Sequence, residues 1–199
     1  IMLIGITGGI GSGKSTIAKQ LEQLGYPVYY TDAEAKRIVV ENPMVRSQIE
    51  TLFGSDIYEG DVYRTDRVAK QVFHHPDLLE KLNAIVHPAV AFDLKRWTRE
   101  QDPKNHFVEC AILFESKLDT LCDKVIAVIA PEEIRLERTL QRDYQGSHSK
   151  EHIAAVLARI HSQMGDDDRA RMADIVLCND GKTPVANLAQ QVIQQLETH

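Results

Sequence analysis

Apolar residues fall along this chain in two alternating patterns. Met2–Ile6 is a short continuous apolar run that stops at a glycine-rich stretch, the pattern of a buried strand. Ile17, Leu21 and Leu24 then recur at helical spacing through Thr16–Leu24, and Gly25 ends that segment. Val28–Tyr30 is a second short strand. Strand, helix and strand at this spacing form a βαβ unit, which predicts a parallel sheet with helices on both faces. Thr31 and Glu34 have the spacing of a capping box and predict the next helix start. Asn42-Pro43 is a break, and Gly54–Gly60 reads as a loop. From Asp66 to Gln101 the pattern is helical, with interruptions at His75-Pro76 and His87-Pro88. Three short helices in succession are expected there, forming a helical lobe inserted into an α/β chain. Strand character returns at Phe107–Phe114 and Lys124–Ala130. A helix then begins at Pro131-Glu132-Glu133 and carries Arg135, Arg138 and Arg142. The rest reads as a loop at Gln145–Ser149, a helix over Lys150–Gln163, a strand at Ile175–Cys178 and a closing amphipathic helix over Pro184–Leu196. There is no internal repeat or low-complexity tract, so one domain over 1–199 with inserted lobes is expected.

One segment adds chemistry to this pattern. Gly8-Gly9-Ile10-Gly11-Ser12-Gly13-Lys14-Ser15 fits GxxxxGK[ST] in full, between a predicted strand and a predicted helix. Glycines allow such a loop to curl until successive backbone N–H groups face one centre. The following helix adds the partial positive charge of its N-terminus. Gly11, Ser12, Gly13, Lys14, Ser15 and Thr16 are therefore expected to bind a nucleoside triphosphate. Lys14 would lie on the β- and γ-phosphates and the Ser15 hydroxyl on Mg²⁺. No NKxD guanine-reading motif is present, and Asn179-Asp180-Gly181-Lys182 does not supply one. The chain is short for a motor, so a small-molecule kinase is the expected class.

Composition narrows the partners. The 199 residues are 43% hydrophobic and 26% charged, with a formal net charge of −6. A core is affordable, and a nucleic acid is an unexpected partner for so acidic a chain. No apolar run approaches the roughly 20 residues needed to span a bilayer. The three cysteines, Cys110, Cys122 and Cys178, form no CxxC pair, which fits a reducing, cytoplasmic setting.

Several single residues are candidates. Asp32 directly follows the second strand, at the edge where open α/β sheets bind ligands. It is the expected catalytic residue, orienting an acceptor hydroxyl and taking its proton. The alternative is a carboxylate stabilising a helix N-terminus. Arg138 and Arg142 are four apart on one helix and suit phosphate binding from a shared face; pairing with Glu133, Glu137 or Asp143 is the alternative. Arg67 would contact substrate phosphates or pair with Asp66. Glu109, at the end of the third strand, would hold a metal-bound water or act as a buried structural acid.

The chain also resembles the dephospho-CoA kinases. Ile6–Thr16 looks like the start of that family, and Val28-Tyr29-Tyr30-Thr31-Asp32 is similar to its DAD segment, with Tyr30 and Thr31 departing from the pattern. Asp66-Arg67, Leu82-Asn83, Val86-His87-Pro88, Leu113-Phe114-Glu115, Arg138–Asp143, Arg159, Ser162-Gln163 and Ala173–Val176 with Asn179-Asp180-Gly181 follow in order. A second departure is Glu109-Cys110-Ala111-Ile112, where the family usually has D-x-P-L. The resemblance implies an α/β P-loop nucleotide-kinase fold with a five-stranded parallel sheet flanked by helices. It also implies a helical CoA-binding lobe at approximately 62–102 and a lid at approximately 135–165. The implied reaction moves the γ-phosphoryl of ATP, with Mg²⁺, to the ribose 3′-hydroxyl of dephospho-CoA, the last step of coenzyme A synthesis. It places His87 with Arg67 and Asp32 at the substrate, Asn179 and Gly181 at the adenine, and Arg138 and Arg142 on the nucleotide phosphates.

Overall fold

The first apolar run becomes the middle of a sheet. A computed structural model describes residues 1–198. In it β1 (Leu3–Gly8) is buried at all six positions. It pairs in parallel with β5 (His106–Glu109) on one side and β6 (Lys124–Ile129) on the other. β7 (Ile175–Cys178) extends β6 in parallel, and β2 (Val28–Tyr30) borders β5. The sheet order is β2-β5-β1-β6-β7, the five-stranded parallel sheet expected. Continuous apolar strands are what a sheet covered on both faces requires.

The sheet and its helices make up one compact unit, 1–29 together with 101–199, of which 101–198 are described. α1 (Lys14–Gln23) buries Ile17, Ala18 and Leu21 and packs against α9 (Val185–Glu197). α6 (Glu132–Tyr144) and α7 (Lys150–Ser162) close on each other over Leu140, Val156 and Ile160. A helix absent from the expectation, α8 (Asp166–Met172), packs on β6 and β1. Burial pushes the Cys122 thiol up to about 12, so it remains a packed thiol rather than a nucleophile.

The second unit, 30–100, is helical with one short hairpin. α2 (Thr31–Glu41) begins at Thr31, with Tyr30 rather than Thr31 at the capping position. Asn42-Pro43 starts another helix, α3 (Pro43–Phe53): the Asn42 side chain accepts from the N–H groups of Met44 and Val45. The expected Gly54–Gly60 loop holds a 3₁₀ turn and β3 (Tyr58–Glu59), paired with β4 (Val62–Tyr63). The Tyr58 hydroxyl donates to Val39 O at 2.6 Å, and burial raises that phenol to about 12.

α4 (Thr65–His74) stops before Pro76 as expected, but α5 (Asp77–Glu100) runs straight through Pro88. There are therefore two helices where three were expected. A proline inside a helix costs about 3 kcal/mol, and α5 offsets it with Val90 and Leu94 buried just beyond. Asp93, also buried, takes salt bridges from Arg37 at 2.6 Å and Arg96 at 2.7 Å.

Candidate active site

Parallel strands end together, and the carboxyl ends of β1, β5, β6 and β7 gather the chemistry of the first unit. β1 runs into the phosphate loop, β5 ends on Glu109, β6 leads to Ala130, and β7 leads to Asn179. The loop then passes into α1. The first ladder bond of α1 is Ile17 N–H to Gly13 O, and no side chain caps that end. The N–H groups ahead of that bond are the unsatisfied donors of a helix start, an anion site by construction.

The outer side of the loop is tied down by distant residues. Arg135 Nε donates to Ile10 O at 2.9 Å, and the Ile10 N–H donates to Gln163 Oε1 at 2.8 Å. Arg138 Nη1 donates to Gly11 O at 3.2 Å and Ser12 O at 3.4 Å. Asn179 Nδ2 donates to Ser12 O at 2.9 Å. The Ile10 side chain sits among Leu140, Val156 and Ile160. The carbonyls of Ile10, Gly11 and Ser12 are thus held outward, while the Ser12 N–H turns back to Gly9 O at 3.1 Å. Gly13 has φ 87°, in the left-handed region, and a Cβ there would run into the Asn179 amide.

Lys14 Nζ lies 3.8 Å from Glu109 Oε1, with both side chains mostly buried. At that separation the pair is held by charge rather than by a hydrogen bond. No group of three His, Cys, Asp or Glu residues among those described is placed to hold a metal ion. A divalent cation here would complete its shell with phosphate oxygens and water, the ligand set magnesium accepts. Ser15 and Glu109 are the chain's groups suited to it.

The structure therefore brings Gly11, Ser12, Gly13, Lys14, Ser15, Thr16, Glu109, Arg138 and Asn179 into one unit. Arg142 is also on α6 but is exposed, with Nε bonded to Asp143 Oδ1 at 2.7 Å. Arg159 bonds the other oxygen of Asp143 at 2.7 Å. Arg142, and next Arg159, hold the Asp143 carboxyl well below the usual carboxylate range. Asp32, Arg67 and His87 belong to the second unit. Asp32 is exposed in the first turn of α2. Arg67 does not pair with Asp66: it bonds Glu59 at 3.1 Å, while Arg64 takes Asp66 at 3.0 Å. His87 is half-buried within α5, and burial lowers its pKa. Arg135 and Gln163 received no role from sequence, although each lies on a predicted helix.

Comparison with known proteins decides the family. The family described as dephospho-CoA kinase matches residues 2–184. The chain belongs to that family. Among the family's curated members, the dephospho-CoA kinase of Porphyromonas gingivalis is 42% identical over 199 residues, covering 100% of this chain and 94% of the relative. Among solved structures, TT1252 of Thermus thermophilus has a TM-score of 0.82 at 32% identity, covering 98% and 97% of the two chains. The dephospho-CoA kinase of Campylobacter jejuni has a TM-score of 0.71 at 25% identity, covering 98% and 96%. The family is one of ATP-using enzymes that complete coenzyme A synthesis. The α/β sheet and phosphate loop above are the fold such an enzyme needs.

The brace from Asn179 is testable on its own. Asn179→Ala removes a buried donor and leaves Ser12 O with one partner fewer. Stability should fall by about 1–3 kcal/mol, read as a lower Tm without nucleotide, and ATP affinity should weaken with it. An unchanged Tm and unchanged affinity would remove Asn179 from the loop's support.

Proposed function

We propose that this chain transfers the γ-phosphoryl group of ATP, with Mg²⁺, to the 3′-hydroxyl of dephospho-CoA. The observation that carries the reading is the phosphate loop opening α1, with Lys14 beside Glu109 at the carboxyl ends of β1 and β5. Phosphoryl transfer asks mainly for positioning and charge neutralisation. The amides of Gly11–Ser15 hold the β- and γ-phosphates, and Lys14 neutralises charge as the terminal phosphoryl leaves. Ser15 and Glu109, the latter through a water, would hold magnesium, which would lower the charge on the phosphates. Asn179 borders the adenine, and Arg138 lies by the nucleotide phosphates. Arg142 exchanges Asp143 for a phosphate when the segment at approximately 135–165 closes as a lid. Asp32 accepts the proton of the 3′-hydroxyl. Arg67 and His87 contact dephospho-CoA, within a helical lobe at approximately 62–102. A cytoplasmic location fits three cysteines that are all thiols.

ADP release measured with ATP, Mg²⁺ and either dephospho-CoA, AMP, CMP or no acceptor tests the reading. Release that requires dephospho-CoA and yields CoA is expected. Release with AMP or CMP instead would keep the loop chemistry and reject the acceptor.

A further inference from the structure

Arg169 is the largest fully buried side chain among the described residues, with 0% exposure. It lies on the short helix α8, under the phosphate loop. Its Nη1 donates to Asp166 Oδ1 at 3.1 Å, while Nε and Nη2 meet no protein acceptor. The same Asp166 oxygen lies 3.4 Å from Arg135 Nη1, and Asp166 Oδ2 accepts the Ala130 N–H at 3.3 Å. Arg135 is itself buried. It has already given Nε to Ile10 O, and its Nη2 has no acceptor.

Two buried guanidiniums thus share one directly bonded carboxylate. Burying charge is costly, and well-packed apolar residues are often at least as stabilising in such a place. Stability alone therefore gives this arrangement little reason to exist. Its location gives a better one. The backbone of Gly9 lies against both arginines: a Cβ there would fall on Arg135 Nη2, 2.7 Å from Arg135 Cζ and 3.1 Å from Arg169 Nη1. The two guanidiniums, with three donor nitrogens that have no acceptor, stand directly behind the start of the loop that receives the phosphates. Glu115 adds a carboxylate charge near Arg169 without a hydrogen bond to it, and a bound triphosphate would bring further negative charge to the same place.

We infer that Arg169 is a positioning residue for the nucleotide, acting through Asp166 and Arg135 on the Gly9-Ile10 segment, with the positive charge and unused donors of the two guanidiniums favouring the phosphate-bound state. The inference rests on the proposed binding of ATP at the loop. Arg169 touches no substrate. It fixes Arg135 from behind, and Arg135 holds Ile10 O outward. The coupling works in both directions: occupation of the loop by an anion relieves the buried charge, and the charge strengthens that occupation. Removing the charge should then affect the nucleotide-bound protein and not the free one.

The test compares wild type, Arg169→Met and Arg169→Lys in the full chain. It uses calorimetric titration with ATP and Mg²⁺, Tm without nucleotide, and KM for dephospho-CoA. Met nearly keeps the volume and removes the charge, leaving Asp166 to Arg135 alone. The expected result is a nucleotide-free Tm at or above wild type and an ATP Kd raised at least tenfold. KM for the acceptor should be unchanged, and Arg169→Lys should return the Kd to within threefold of wild type. An Arg169→Met protein with wild-type ATP affinity overturns the inference. So does an equal loss of affinity and of nucleotide-free Tm in both variants, which would mark a packing role. If Arg169→Met does not fold, Arg169→Gln, neutral but able to bond Asp166, is compared with Arg169→Lys. Equal ATP affinities in that pair overturn the inference, and a tenfold gap in favour of lysine supports it. Wild type that fails to bind ATP would instead defeat the proposed function itself.

Discussion

Replacing Asp32 by asparagine is expected to lower turnover by about 10²–10⁴-fold, the usual worth of a general base, while ATP binds as before. The substitution keeps the size and one oxygen of the side chain but removes its ability to take a proton. Asp32 is exposed in the first turn of α2, so a substrate hydroxyl has access to it. Its stabilising charge at the helix start is worth only about 0.3–1 kcal/mol. A folding defect therefore should not obscure the kinetic one. The substitution leaves every residue of the phosphate loop unchanged, so ATP affinity should be preserved. Steady-state rates with dephospho-CoA, beside an ATP titration, separate the two effects. Turnover within threefold of wild type would reduce Asp32 to a residue that merely decorates a helix end.

Lys14→Ala should produce the second large effect, a fall in kcat/KM for ATP of about 10²–10³-fold, as for other removed transition-state charges. Lys14 is the loop's ammonium, and 3.8 Å away it also neutralises Glu109. Its loss withdraws positive charge from the phosphates and leaves a mostly buried carboxylate facing them. Both consequences repel the nucleotide. A double variant that also changes Glu109 to Gln should regain part of the ATP affinity, because one negative charge at the loop is gone. If the double variant binds ATP no better than Lys14→Ala, the two side chains do not act on a common ligand.

The legible parts of this protein are those whose physics is local. The phosphate loop is readable because its glycines, lysine and serine answer backbone geometry and charge within eight residues. The central strands β1, β5 and β6 are readable because burial on both faces demands continuous apolar runs. α5 was misread at Pro88 because a local rule met a tertiary compensation: residues buried on the same helix outweigh one lost bond. α3 was missed because Asn42-Pro43 reads equally as a break and as a capped start. Most was hidden in the loop's support. Arg135 and Gln163 reach Ile10 from 125 and 153 positions away, and no sequence spacing encodes such a meeting. The shared face of Arg138 and Arg142 is legible in their spacing, but their present partners are not: Arg138 bonds Gly11 O, and Arg142, one turn later, bonds Asp143.

The order in which a ribosome makes this chain gives the loop's long-range ties a further meaning. The phosphate-binding segment emerges well before the groups that shape it: Arg135 and Arg138, then Gln163 and Arg169, then Asn179. β1 likewise waits for residue 106 and residue 124 before it has neighbours on either side. A nascent chain that has not yet reached residue 135 therefore carries the complete nucleotide signature without the side chains that brace it. ATP meets the fully braced loop only once Asn179 has been made.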